Sequence, residues 1–260
     1  MTGLILAAGA GTRLNGSGVV RPKCLAPFGN RPLIEHQIGA LRRSGIDDIV
    51  VVVGFAAERV RATCDARVRF VENTSFARTN SLYSLWLARE VLRDGFVVMN
   101  CDVLFHPQLL ADLLSARHQD ALLISYPSPD QPPFGDEEMK VKVRRGRVAD
   151  IRKDLPVDDT DGENVGVVKF SASGAARLVP AMDRLVAGGG LRDWAPRAFR
   201  EFAREQPLYA VSTRGLPWTE IDTPEDYQYA AQTVFPAIAR NLGTMAVTDA
   251  YLPLAIRRGA

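Results

Sequence analysis

Gly3-Leu4-Ile5-Leu6-Ala7-Ala8-Gly9-Ala10-Gly11-Thr12-Arg13 decides how the rest of this 260-residue chain is read. Leu4, Ile5 and Leu6 form an unbroken apolar run, and so do the residues at 49–53. A parallel strand covered by helices on both faces requires such runs. Directly after the first run, two glycines let the backbone approach an anion closely, and successive N–H groups can cradle phosphate oxygens. Arg13 adds a fork of donors that suits phosphate. Gly9 and Gly11 alone would serve a tight turn equally well. Two phosphate loops are excluded. The sequence lacks Gly, four residues, then Gly-Lys-Ser/Thr. A dinucleotide fingerprint needs glycine where Leu14 stands and an acidic residue after a second strand about 20 residues on, where 30–35 instead begins a helix.

The composition is that of an ordinary globular protein, with 47% hydrophobic and 24% charged residues and a net charge of +2. This balance gives no sign of nucleic acid or a membrane surface as partner. Cys24, Cys64 and Cys101 are odd in number and lack CxxC spacing, and the three histidines form no metal-binding pair. The apolar residues 4–8 break at Gly9, too short for a signal core, so a cytoplasmic protein is expected.

Strands are predicted over 3–7, 48–53, 67–72, 96–100 and 121–126. Helical spacing is read over 32–44, 56–64, 81–92 and 107–117. This β-α-β alternation predicts a doubly wound α/β layer. Beyond about residue 130 the pattern changes. Pro127, Pro129, Pro132, Pro133 and Gly135 mark a loop, and a hairpin is expected about Arg144-Arg145-Gly146-Arg147. A strand over 165–170, helices over 173–187 and 193–205, and a strand over 208–212 follow. Thr223-Pro224-Glu225-Asp226 opens a last helix with Thr223 as its cap. The expected organisation is one domain over 1–235, its nucleotide part at 1–126 and its acceptor part at 127–235, with a tail at 236–260.

Other residues join the glycine loop. In Arg21-Pro22-Lys23-Cys24-Leu25, Pro22 fixes the chain beside Lys23, across a loop containing Gly16-Ser17-Gly18. Lys23 can fold back over whatever the first loop holds. Asp102 lies just past a strand end, where open α/β sheets bind ligands. The helix after Asp102 is expected only near Pro107, and Asp222 precedes a helix whose cap is already Thr223, so capping explains neither aspartate.

These stretches resemble the N-terminal motif of the sugar-phosphate nucleotidyltransferase superfamily. Asn73 with Thr79-Asn80-Ser81-Leu82-Tyr83-Ser84-Leu85, Asn100-Cys101-Asp102, Gly162-Glu163-Asn164-Val165-Gly166, and Glu220-Ile221-Asp222-Thr223-Pro224-Glu225-Asp226-Tyr227 extend the likeness. They are most similar to phosphocholine cytidylyltransferases and to cytidylyltransferases acting on phosphonates or inositol phosphate. The resemblance implies a Rossmann-like (GT-A-like), mostly parallel sheet with a small β-rich insertion on the substrate side. It implies Mg²⁺ bound by Asp102 and Asp222, with Lys23 and Arg13 catalytic. Leu6, Ala7, Ala8, Gly9, Gly11 and Thr12 would hold CTP, with Asn73, Thr79, Asn80 and Ser81 beside its base and ribose. Asn80 and Ser81 could also simply cap a helix.

The second substrate would be a small phosphate or phosphonate. A phosphate monoester is largely dianionic at neutral pH, so its attack needs no general base. Lys142 and Lys153 are candidates for its anionic end, while Lys140 is read as a solvated strand lysine. Glu163 is a candidate for its polar or cationic end. Trp194 and Trp218 could wall a choline-like group by cation–π contact, or be core. A homodimer is compatible with this reading. The rivals are a hexose-1-phosphate nucleotidyltransferase and a non-catalytic nucleotide-binding module. A molybdopterin guanylyltransferase would carry Gly-Gly where Ala8-Gly9 stands.

Overall fold

The computed structural model describes residues 1–15, 21–128 and 134–242. The loop containing Gly16-Ser17-Gly18, prolines 129, 132 and 133, and the tail beyond 242 lie outside them. Thirteen strands occur among the described residues. They are β1 (Thr2–Ala7), β2 (Pro27–Phe28), β3 (Arg31–Pro32), β4 (Ile49–Val53), β5 (Arg69–Glu72), β6 (Phe96–Asn100) and β7 (Val103–Phe105). They are followed by β8 (Ala121–Ser125), β9 (Lys140–Arg144), β10 (Arg147–Arg152), β11 (Gly162–Phe170), β12 (Tyr209–Ser212) and β13 (Trp218–Glu220).

Nine strands make one sheet in the order β5-β4-β1-β6-β11-β8-β12-β10-β9. The first four are mutually parallel. β1 and β4 are buried along their whole length, as their apolar runs require. The sheet becomes mixed where β11 enters antiparallel to both β6 and β8. The all-parallel arrangement is therefore confined to β5, β4, β1 and β6. Two apolar clusters flank the sheet, one around Leu82, Phe96, Phe170 and Phe199, the other around Ile34, Leu41, Leu109 and Leu113.

Most predicted elements lie within a few residues of those observed. The helix expected over 81–92 is α-helical at Ser81–Leu87, then tightens into a single 3₁₀ turn at Arg89–Val91, a common end for a helix. The helix expected from 193 starts at Pro196, a residue suited to the first helical position. β11 begins earlier than expected, at Gly162, whose missing Cβ would lie 2.6 Å from the Ser125 carbonyl oxygen. Arg145 and Gly146 both take positive φ, the backbone of a two-residue turn joining β9 to β10. The ribbon of β7 with β13 has no counterpart in the sequence reading.

Candidate active site

A cleft of about 450 Å³ opens at the carboxyl ends of β1 and β6. The glycine loop forms one rim. Gly11 takes a φ of +60°, and a Cβ there would fall 2.7 Å from Lys23 Cγ. Glycine therefore serves two needs: a left-handed backbone and room for the lysine stem.

Asp102 and Asp222, far apart in sequence, meet through the short ribbon. Glu220 is registered opposite Val103. The Ile221 N–H donates to the Asp102 carbonyl at 3.0 Å. Gln37 secures the turn from inside, its amide donating to the Asn100 and Val103 carbonyls at 2.8 and 2.9 Å. Past the end of β13, the Asp226 carboxylate accepts the Asp222 and Thr223 N–H groups at 2.9 and 2.8 Å. Thr223 and Asp226 form a reciprocal capping box, which leaves the Asp222 carboxylate to the cleft.

Asp102, Glu220 and Asp222 each bring a carboxylate oxygen within 4.8 Å of the others. The Lys23 ammonium donates to Asp102 at 2.9 Å and also to Asp222. Arg13 bridges Asp222 at 2.8 Å and Glu137 at 3.0 Å. Burial would lower the Lys23 pKa, but the carboxylates of Asp102 and Asp222 outweigh it and hold the amine above its ordinary value. Burial, reinforced by Asp102 and Asp222, pushes the Glu220 carboxyl up to about 8. Asp102 Oδ1 is buried and has no hydrogen-bond donor among the described residues. Three carboxylates with an unspent buried oxygen are the all-oxygen donor set that a hard divalent cation takes. Glu220 had no role in the sequence reading. Its spacing of two from Asp222, which in an extended chain puts two side chains on one side, was the available signal.

The opposite wall is a hydrogen-bonded frame. Asn73 donates to Thr79 Oγ1 and Ser84 Oγ, both at 3.0 Å, and its Oδ1 accepts the Ser75 N–H. Its side chain is thus committed to shaping the wall. Asn80 caps Ser81–Leu87 through the Ser81 N–H. Ser81 Oγ accepts the Ala195 N–H at 2.8 Å, and the Asn80 N–H donates to the Leu191 carbonyl at 2.8 Å.

Beside the hairpin of β9 and β10, Lys153 lines the cleft, with Nζ 3.1 Å from Glu137 and 5.0 Å from the centre of the half-exposed Trp194 ring. Leu6, Ala8, Gly9, Thr12, Met139 and Asn164 also line it, whereas Ala7 is buried beneath the loop. Three expected acceptor residues are not on the lining. Lys142 pairs with Asp159. Trp218 lies opposite Phe105 and packs on the apolar cluster. Glu163 is set into the start of β11, its carboxyl raised to about 7 by burial and by Glu138. The reading of Lys140 as solvated is corrected: it is 3% exposed and donates to the Lys153 carbonyl. β9 is flanked there by both β10 and β11, so neither edge is open.

Comparison with known proteins agrees with this architecture. The chain is 33% identical over 238 residues to the bifunctional IPC transferase and DIPP synthase of Rubrobacter xylanophilus, covering 88% of this chain and 51% of that protein. It therefore spans about half of that relative's length. It is 30% identical to choline-phosphate cytidylyltransferase of Streptococcus pneumoniae, covering 88% of this chain and 96% of the relative. A solved structure of the S. pneumoniae CTP:phosphocholine cytidylyltransferase superposes with a TM-score of 0.73 at 27% identity, covering 89% of this chain and 97% of that one. A probable mannose-1-phosphate guanylyltransferase of Arabidopsis thaliana is 29% identical, covering 87% of this chain and 63% of that protein. No described helix is long and apolar enough to cross a membrane. Residues 3–210 match the MobA-like NTP transferase domain, and the chain belongs to that family of nucleotidyltransferases.

Proposed function

We propose that this nucleotidyltransferase transfers CMP from CTP to a small phosphorylated alcohol or a phosphonate. The observation that carries this reading is the convergence of Asp102, Glu220, Asp222 and Lys23 beside the glycine loop, with Lys153 across the cleft. An acceptor oxygen forms a bond to the α-phosphorus of CTP, and the α–β bridging P–O bond breaks to release pyrophosphate. The difficulty is bringing two polyanions together, so the protein's work is alignment and neutralisation. Lys23 and Arg13 bring cationic donors to the triphosphate, and the backbone at Gly9 and Gly11 lets it approach. Lys153 faces the acceptor's anion. Asp102 and Asp222 would hold Mg²⁺, which supplies further charge neutralisation when bound. The cytidylyltransferases among the relatives support CTP.

The guanylyltransferase relative favours a second reading, transfer of a nucleotide to a hexose 1-phosphate. Pyrophosphate release across CTP, UTP, GTP and ATP, each with phosphocholine, 2-aminoethylphosphonate, inositol 1-phosphate and mannose 1-phosphate, separates the two. We expect the highest kcat/KM with CTP and one of the first three acceptors. A preference for GTP with mannose 1-phosphate would overturn the proposal in favour of the second reading.

A further inference from the structure

Lys140 is a charged residue in a place where a charge is costly. Its side chain is 3% exposed, and it sits where β9 is flanked on both sides, registered opposite Arg152 of β10 and Glu163 of β11. Removing an ammonium group from water costs several kcal/mol, and an apolar side chain of the same length would fill the space without that cost. What lysine adds over methionine is a donor. Nζ donates to the main-chain carbonyl of Lys153 at 2.6 Å, a short, charge-assisted bond. Lys153 follows the last residue of β10, and no ladder pairing extends to it. The bond from Lys140 therefore fixes the backbone at the point where the chain leaves the sheet. The side chain of that same residue reaches Glu137 and the face of Trp194 in the cleft.

We propose that Lys140 is a positioning residue for the acceptor: it holds the Lys153 main chain so that the Lys153 ammonium stands at the acceptor end of the cleft. This rests on the reading of Lys153 as an acceptor-binding cation. Loss of the bond lets the cation drift while leaving the nucleotide side, built on β1, β6 and β13, in place.

The test uses the full chain with Lys140→Met, Lys140→Gln, Lys153→Met and the Lys140→Met/Lys153→Met double variant. The fluorescence contributed by Trp194, obtained by repeating each in a Trp194→Phe background, reports the position of the Lys153 ammonium without any substrate. Lys140→Met and Lys153→Met should change that contribution in the same direction, and the double variant should go no further than Lys153→Met. With phosphocholine and 2-aminoethylphosphonate as acceptors, Lys140→Met should raise acceptor KM by up to about 10²-fold, the scale of a misplaced contact. KM for CTP should stay unchanged, and the unfolding midpoint should not fall. Lys140→Gln, which keeps a donor, should recover part of the effect. The inference is overturned if Lys153→Met moves the Trp194 signal and Lys140→Met does not, or if Lys140→Met raises both KM values alike. It is also overturned if neither variant moves the signal. A coupled Trp194 signal with acceptor KM unchanged in Lys153→Met would retain the positioning of Lys153 and overturn only its assignment to the acceptor.

Discussion

Gly9 and Gly11 stand two residues apart in one loop, yet a methyl group would meet very different surroundings at each. At Gly11 it would strike the Lys23 stem on a left-handed backbone, whereas at Gly9 nothing lies within 4 Å. Gly11→Ala should therefore lower stability by about 1–2 kcal/mol, the cost of the left-handed conformation, and depress turnover by displacing Lys23. Thermal unfolding and pyrophosphate release read the two effects separately. Gly9→Ala should leave the unfolding midpoint unchanged while raising KM for CTP, because under the proposed function its open space is where phosphates would approach. An unaltered KM would remove Gly9 from the nucleotide site. Lys23→Met should cut kcat on the order of 10²–10³-fold, the range for losing a preorganised charge donor, with little change in far-UV circular dichroism. A kcat within threefold of wild type would sink its catalytic assignment. These residues were legible because a glycine loop and a proline-fixed lysine are local patterns. Glu220 was harder to see, since its closeness to Asp102 depends on a pairing between distant segments.

Asp222 shows how an element prepares a side chain. The capping box at the start of Pro224–Tyr229 uses the Asp226 carboxylate to take the Asp222 and Thr223 N–H groups. Asp226→Ala should cost about 1 kcal/mol as a lost cap interaction. It should also raise the Mg²⁺ concentration for half-maximal pyrophosphate release by about 10–100-fold, as second-layer partners of metal ligands do. An unchanged Mg²⁺ titration would show that the cap serves the helix alone. The cap was readable from four consecutive residues. β7 and β13 were not, because three-residue strands have too little periodicity to register and take their stability from each other. The same limit explains Lys140. Alternation along β9 groups Lys140 with Lys142, but only the arrival of β11 alongside β9 shows that one end of that strand is enclosed. The two walls of the cleft are likewise joined by contacts that no local pattern announces. Ser81 and Asn80 hold the 191–195 segment that carries Trp194.

Across the whole molecule, one continuous nine-stranded sheet joins the early and late strands, so a disturbance far from the cleft should be felt as global stability. His36 offers such a disturbance. It is 7% exposed, donates from Nε2 to the Phe28 carbonyl at 3.0 Å, and meets Phe235 edge-on. Its surroundings tie Leu33–Arg43 to β2 and to the last described helix. Burial, with help from Arg31 and Arg43, lowers its pKa to about 4. The unfolded chain would titrate that histidine near its ordinary 6.5. Between these values the unfolded state binds the extra proton and the folded state does not. The stabilising contribution of a neutral His36 is therefore fully present above about pH 6.5 and is lost as pH falls through about 4. The full difference is on the order of 3 kcal/mol. Urea unfolding at pH 7.5, 6.0 and 5.0 should show stability declining through this window in the wild type. His36→Gln, which keeps a donor for Phe28 but cannot take up a proton, should be less stable at pH 7.5 and should lose less on acidification. Parallel losses in the two proteins from pH 7.5 to 5.0 would mean that other groups, such as the carboxylates paired with arginine, govern the acid limb instead.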